Sequence, residues 1–340
     1  MRDHNVATVK TAFFYPFEHR NRFVLNTMQV FQQLGCEVQP LKHILLPRNL
    51  GHRSSNAVIL NWYEDQLFRQ NFSWFERGLF LGYFVLSVLL FPLLSKRVYW
   101  VRHNYKPHGL GKSSWVHRLS TAMLNRAAHK VVTLEPANGF ESEVVKHPLY
   151  VSDRALLEAI DRIRAQRAAA GGASLHRFLY FGSIKPYKGV SGLLKSWPRD
   201  LPLTIAGLCQ DGAYTATLKQ IIVQRRLSVE WLNEYVEDSV LEQLVQEHEF
   251  VLLPHKDGTM ISSGTFYFAI SYGANVVGFD SQFIRMKAKE HQFVHRVNQN
   301  ELKNSLVSLK PVPREEVLEQ ALQHYGESKI RDSWAPLLTK

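Results

Sequence analysis

Cysteine is nearly absent: Cys36 and Cys209 are the only two in 340 residues, far apart and each within an otherwise regular segment. That excludes a disulfide framework, and no C-x2-C pair offers the commonest metal-thiolate spacing. A reducing, cytoplasmic setting fits such a chain. The opening MRDHNVATVKTAFFYPF has neither the apolar core nor the small-residue cleavage site of a signal peptide, so export is not expected. No G-x-G-x-x-G follows the first apolar strand, which argues against a dinucleotide site, and no Walker A sequence supports P-loop ATP hydrolysis. A D-x-D pair for holding a diphosphate through a divalent metal is also missing, so no metal site is expected.

Acidic residues are scarce in one half only. Residues 1–150 carry 18 Lys/Arg against 9 Asp/Glu, a net +9, and nine of the 15 histidines; residues 151–340 carry 23 against 21, a net +2. The asymmetry points to an anionic partner for the first half, a phospholipid surface, a lipid diphosphate or nucleic acid, with a merely solvated basic face as the plainer alternative. The basic residues form no stripe with interleaved stacking aromatics, which speaks against nucleic acid.

Long apolar runs are lacking except at WFERGLFLGYFVLSVLLFPLLSK (74–96). Its apolar stretch, Leu79 to Leu94, falls short of the ~20 residues of a spanning helix and contains Gly82, Ser87 and Pro92. A helix buried in a domain is the first expectation. A helix in the membrane interface is the second, with Trp74 as anchor and Arg77, Lys96 and Arg97 at headgroup level.

Strand and helix patterns alternate in both halves. VATVKTAFFYPF, CEVQPLK, AVILNWY, RVYWVRHN and KVVTLE read as strands in the first, with a helix from Arg22 to Leu34 stopped by Gly35. HRFLYFGS, LPLTIAG, LSVEWLNEYV, EFVLLPHKD and ANVVGFD read as strands in the second. SVLEQLVQEH reads as a helix opened by a Ser239/Glu242 capping box, and SGTFYFAISYG as one closed by Gly273. This grammar predicts an α/β chain of two doubly wound domains with a cleft between them, the junction falling near AAAGGAS (Ala168–Ser174) or slightly before it. In such sheets ligands bind beyond the carboxyl ends of strands.

The residues there carry the chemistry. In YFGSIKPYKGV, Gly182 turns the backbone, Lys185 and Lys188 supply two cations, and Gly189 admits the next helix; the loop suits a diphosphate, or is a connecting loop with surface lysines. Downstream, Ser262-Ser263-Gly264-Thr265 opens a helix whose free N–H groups suit an anion, beyond ordinary capping. On the first half's rim stand Glu18, His19, Arg20 and Arg22, then Glu64 and Asp65, then His103 and His108, the collection of titratable groups that proton transfer requires.

Together FGSIKPYKGV, SSGTFYFAISYG, HNYKPH and NWYED resemble GT-B glycosyltransferases of the family-4-like superfamily, over about residues 57–280. They are most similar to xanthan-type bacterial exopolysaccharide mannosyltransferases, whose F-G-x-I-[RK]-P-Y-K-G-V loop, H-N-x-x-P-H segment and S-G-T helix start recur in this chain. The resemblance implies a GT-B architecture: an acceptor domain over 1–167, joined by a C-terminal helix at 326–340, and a nucleotide-sugar domain over 168–325. It implies Lys188, with Lys185, on the donor diphosphate, Ser263-Gly264-Thr265 as backbone donors, and His103 near the donor sugar. Asp65 and Glu18 are candidates for the base; Glu64, His108 and Arg20 belong to the sugar or acceptor rim. Base and ribose contacts fall to Gly207, Tyr235 and Val236. Phe268 and Ser183 depart from the superfamily, standing where many members have a ribose glutamate and an arginine.

The activity so implied is metal-independent hexosyl transfer, mannose favoured, from a GDP-sugar rather than a UDP-sugar. The acceptor would be a lipid-diphosphate-linked oligosaccharide or other glycan, at the anionic inner face of the membrane. The competing expectations are a non-catalytic basic membrane-surface or nucleic-acid-binding protein, and a GT-B sugar-nucleotide epimerase.

Overall fold

The computed structural model describes residues 9–18, 21–68, 73–105, 115–167, 177–255 and 261–339. The chain divides into two compact units, each an α/β layer structure on its own parallel sheet.

The first unit runs to Pro148 and takes in Ile261, Ser262 and the chain's last helix. Its strands are β1 (Thr11–Tyr15), β2 (Glu37–Pro40), β3 (Asn56–Asn61), β4 (Arg97–Val101), β5 (Lys130–Thr133) and β6 (Glu143–Val144), in the order β2-β1-β3-β4-β5-β6. Its earlier helices are α1 (Arg22–Gln33), the one-turn α2 (Pro47–Leu50), α3 (Trp74–Leu94) and α4 (Trp115–Ala127). Period-two alternation sends neighbours on each strand to opposite faces. Phe13, Val58, Leu60, Val98 and Trp100 build one core with Phe84, Val88 and Phe91 of α3, while Ala12, Phe14, Ile59, Tyr99 and Val101 build the other with α1.

The second unit starts at Leu149, ends at Gly326, and orders its strands β12-β11-β10-β7-β8-β9. These are β7 (Phe178–Phe181), β8 (Leu203–Ala206), β9 (Val229–Leu232), β10 (Phe250–Leu253), β11 (Asn275–Phe279) and β12 (Val294–Val297). Its helices are α5 (Asp153–Arg167), α6 (Val190–Ser196), α7 (Gly212–Arg225), α8 (Asp238–Glu247), α9 (Gly264–Ser271), α10 (Gln282–Glu290), α11 (Leu302–Val307) and α12 (Arg314–Tyr325). The units change over at Pro148–Leu149, ahead of α5, because α5 packs on α12 of the second unit. The stretch 168–174 lies outside the described residues. The last helix, α13 (Glu327–Thr339), returns to the first unit: Trp334 meets Phe31 edge-on at 5.0 Å, and Ser333 accepts the Lys146 N–H at 3.1 Å.

Two expectations are corrected. The Ser239/Glu242 capping box is not formed, because α8 starts two residues earlier than that box requires, at Asp238, with Glu237 at the cap and no side-chain bond. A capping box does open α3: Ser73 Oγ accepts the Glu76 N–H at 3.3 Å, and Glu76 Oε2 accepts the Ser73 N–H at 2.7 Å. Nor is α3 a buried helix. One side packs on the core, and the other carries Phe75, Leu79, Tyr83, Leu86, Leu89 and Leu93, each more than half exposed.

Each sheet grows outward in both directions from a central pair, β1/β3 in the first unit and β7/β10 in the second. At such a reversal the following segments diverge to opposite faces and leave a crevice at the strands' carboxyl ends. The sites follow from that.

Candidate functional site

In the second unit the reversal brings together the segments after β7 and β10. Gly182, at φ +107°, bends the chain directly after β7; a side chain there would meet Lys188 Nζ at 3.6 Å and Thr265 Oγ1 at 3.8 Å. The loop lysine and the start of α9 therefore converge over one bare Cα. Gly189, at φ +80°, closes the loop against the other strand, the Pro254 carbonyl oxygen lying 2.1 Å from where a Cβ would stand. Gly207, after β8, has its own missing Cβ 2.1 Å from the Gly182 carbonyl oxygen. Its place is explained by this stacking of strand-end turns; the packing calls for a glycine here.

Ser263 caps α9, accepting the Phe266 N–H at 3.4 Å, and Gly264 and Thr265 form the first turn at the positive helix end. Lys188 is half-buried, and burial, with Lys185 beside it, lowers its ammonium to about 8. Lys185 itself is exposed. A site that weakens its own cation in this way gains most from an anion that restores the charge.

His255 follows Pro254 at the end of β10 and was missed in the sequence. It is 5% exposed, its Nδ1 has no partner among the described residues, and burial together with Lys188 pushes its imidazole down to about 3. At neutral pH it is an uncharged ring with an unused nitrogen beside the loop lysine. The only hint was an imidazole just past a strand at the sheet's reversal.

Phe268 is buried in an aromatic cluster with Phe181, Tyr150 and Tyr272. Tyr235 is exposed and Val236 half-buried after β9; that segment is tied to the one after β8 by the Cys209 N–H donating to Asn233 Oδ1 at 2.9 Å.

In the first unit the β1/β3 reversal places Glu18 beyond one strand and Trp62 to Asp65 beyond the other. Asn61 links the two strands and the next: its Nδ2 donates to the Tyr15 carbonyl at 3.4 Å, and its Oδ1 lies 3.1 Å from His103 Nε2. With the amide so oriented, Nε2 is the protonated nitrogen of His103. The His103 ring is stacked on Trp62, centroids 4.0 Å apart, with Phe23 against its edge at 5.0 Å. Trp62 holds that position at φ +49°, a left-handed conformation that a tryptophan adopts only against a steric cost.

Glu64 is 5% exposed and accepts the Trp100 indole N–H at 2.8 Å. Burial raises its carboxyl, against the pull of that bond and of Arg102, which sits over the Phe140 ring at 4.2 Å. Asp65 is half-buried, and burial followed by the nearby Glu64 raises it to about 7. Glu18 is exposed. Two carboxyl groups of unequal burial, one poised near neutrality, are what proton abstraction from a hydroxyl needs. Arg20 and His108 lie outside the described residues. Ser262 belongs to the first unit, next to Ile261, whose N–H donates to the His103 carbonyl at 3.3 Å; its Oγ has no partner among the described residues. Among the described residues no three His, Cys, Asp or Glu side chains are grouped so as to hold a metal ion.

Solved structures show what this arrangement is similar to. AviGT4, a glycosyltransferase involved in avilamycin A biosynthesis, superposes with a TM-score of 0.58 at 15% identity, covering 97% of each chain. The chain has the GT-B fold. A UDP-forming α,α-trehalose-phosphate synthase from Burkholderia xenovorans, in complex with glucose-6-phosphate, gives 0.57 at 11% identity over 98% of this chain and 99% of that one. The E. coli trehalose-6-phosphate structure bound with UDP-2-fluoro glucose gives 0.59 at 7% over the same shares. No protein-family model and no curated protein matches the sequence. The GT-B frame assigns Gly182, Lys188 and Thr265 to the end of one sheet, and Asp65, Glu64 and His103 to the end of the other.

Proposed function

We propose that the protein is a glycosyltransferase that takes a sugar from a nucleotide-diphospho-sugar held by the second unit and passes it to an acceptor hydroxyl presented by the first. The observation that carries this reading is the convergence of Lys188 Nζ and Thr265 Oγ1 over Gly182 at the β7/β10 reversal of a GT-B fold. Negative charge grows on the diphosphate as the sugar leaves. Donors already fixed in place, an ammonium and a helix end, stabilise that charge without rearrangement. Asp65 takes the proton of the acceptor hydroxyl, burial and then Glu64 holding its carboxyl near neutrality; His103, fixed by Asn61 and Trp62, lines the sugar.

The resemblance of FGSIKPYKGV and SSGT to the xanthan-type enzymes supports mannose from a GDP-sugar, and the cationic first half supports a lipid-diphosphate-linked acceptor at the inner membrane face, in exopolysaccharide assembly. The lysine and helix-end donors account for the diphosphate charge without calling on a metal. Heating the purified protein with GDP, UDP, GDP-mannose and UDP-glucose, with EDTA present, tests the donor site. One nucleotide family raises the melting temperature in wild type and not in Lys188→Ala. No shift with any of them at millimolar concentration overturns the reading.

A further inference from the structure

α3 is apolar nearly all round, yet only its inner side has a partner. At 100° per residue, Phe75, Leu79, Tyr83, Leu86, Leu89 and Leu93 fall within an arc of about 120°. Phe84, Ser87, Val88 and Phe91 lie on the opposite arc, buried, with Ser87 bonded to Tyr63 at 2.6 Å. The outer stripe runs the whole helix, and each of its residues is 58–67% exposed. On the neighbouring α4, Trp115 and Leu119 are also exposed, 63% and 43%. A contiguous row of large apolar groups facing water marks a binding surface.

Charge decides what covers it. The elements on this side of the sheet (residues 41–55, 73–96 and 115–127) carry seven exposed cations, Lys42, Arg48, Arg53, Arg77, Lys96, Arg118 and Arg126. Their only exposed acid is Glu76, already engaged in capping α3; the turn 64–68 that packs beside them holds Glu64 buried and Asp65 half-buried. A second copy, docking by twofold symmetry, would set seven cations against seven. Gly78 and Gly82 leave open space on the exposed arc, but close approach of two such helices meets that repulsion. A spanning helix is ruled out by the inner arc, which would have to leave the core it forms with Tyr63, Val58 and Trp100.

We infer that the outer face of α3, with α4, is a docking surface for an anionic phospholipid bilayer. The helix lies in the plane of the interface, its apolar stripe among the acyl chains and the seven cations at the phosphates. This surface stands whether or not the protein transfers sugar.

The full chain is sedimented at 0.1 M salt with vesicles of phosphatidylglycerol and phosphatidylethanolamine, or of phosphatidylcholine alone. Wild type partitions onto the anionic vesicles at least tenfold more strongly than onto the neutral ones. Leu86→Ser/Leu93→Ser loses at least tenfold on the anionic vesicles; Lys96→Glu/Arg118→Glu loses the preference between the two. All four side chains are exposed, and unchanged melting curves confirm intact folding. Absence of binding, equal binding to neutral vesicles, or binding unaffected by the leucine changes overturns the inference. So does a stable dimer in solution that the leucine changes dissociate. Vesicle binding without protection by any nucleotide leaves the docking surface standing and sinks only the transferase reading.

Discussion

Trp62 lies face to face on His103, ring planes within 18° of parallel, and holds that stack from a backbone at φ +49°. The left-handed conformation costs a non-glycine residue about 1–2 kcal/mol, and an aromatic pair returns about 0.5–1.5 kcal/mol beyond burial. Trp62→Gly relieves the first but removes the second together with the burial of the half-buried indole, so the melting temperature falls. Sugar transfer falls at least tenfold, because His103 loses its platform. Unchanged kcat/KM in this variant would mean that the stack is not part of the site.

Lys188, lowered to about 8 by burial and by Lys185, regains its proton when a diphosphate arrives. At pH 8.5, therefore, nucleotide binding takes up roughly half a proton or more, and less at pH 7. Calorimetry in buffers of different ionisation enthalpy reads this directly. Lys188→Met binds weakly and takes up none.

With Asp65 as the proposed base, working ionised, kcat/KM rises with pH through about 7. Glu64→Gln removes the neighbouring charge and moves that limb to lower pH. Asp65→Asn abolishes the limb along with at least a hundredfold of the rate. For stability the sign is opposite. The folded-state value lies above that of an unfolded aspartate, about 3.9, so the group's contribution is full below that and lost as pH rises through about 7. In Asp65→Asn the fall in melting temperature between pH 5 and pH 8 becomes smaller.

Arg314 fastens two helix ends in the second unit. Its guanidinium donates to the His248 carbonyl at 2.9 Å, to Val245 at 3.4 Å and to Tyr272, and its stem crosses Gly273, whose missing Cβ would lie 2.4 Å from Arg314 Cγ. Arg314→Met leaves those carbonyls without their donor and costs about 2–4 kcal/mol. Urea denaturation followed in the second unit measures it. A loss under ~0.5 kcal/mol would mean that solvent replaces the bonds.

Much of this was legible in the residues. Strands such as FLYF and NAVILN end where a glycine or polar cluster begins, so the sheet ends, and with them Lys188, Asp65 and His103, could be placed before any coordinates. Short or polar strands could not: Glu143–Val144 has two residues and VHRV carries two polar ones, so β6 and β12 gave no pattern. His255 looked like any histidine after a strand, since only the packing around it leaves its Nδ1 without a partner among the described residues. The exposure of α3 was hidden for the opposite reason. A helix apolar on every side has no periodicity to say which side is covered, and only the partners supplied by the sheet decide it.

The return of α13 to the first unit sets an order of events during synthesis. Trp334 covers Phe31 and Tyr99, yet it is added after nearly two hundred residues of the second unit have been made. At ribosomal rates that is roughly 10–40 s in which the first half of the chain is complete in sequence and open on one side of its core. A truncation anywhere within the second unit therefore also leaves the first unit without the helix that closes its core.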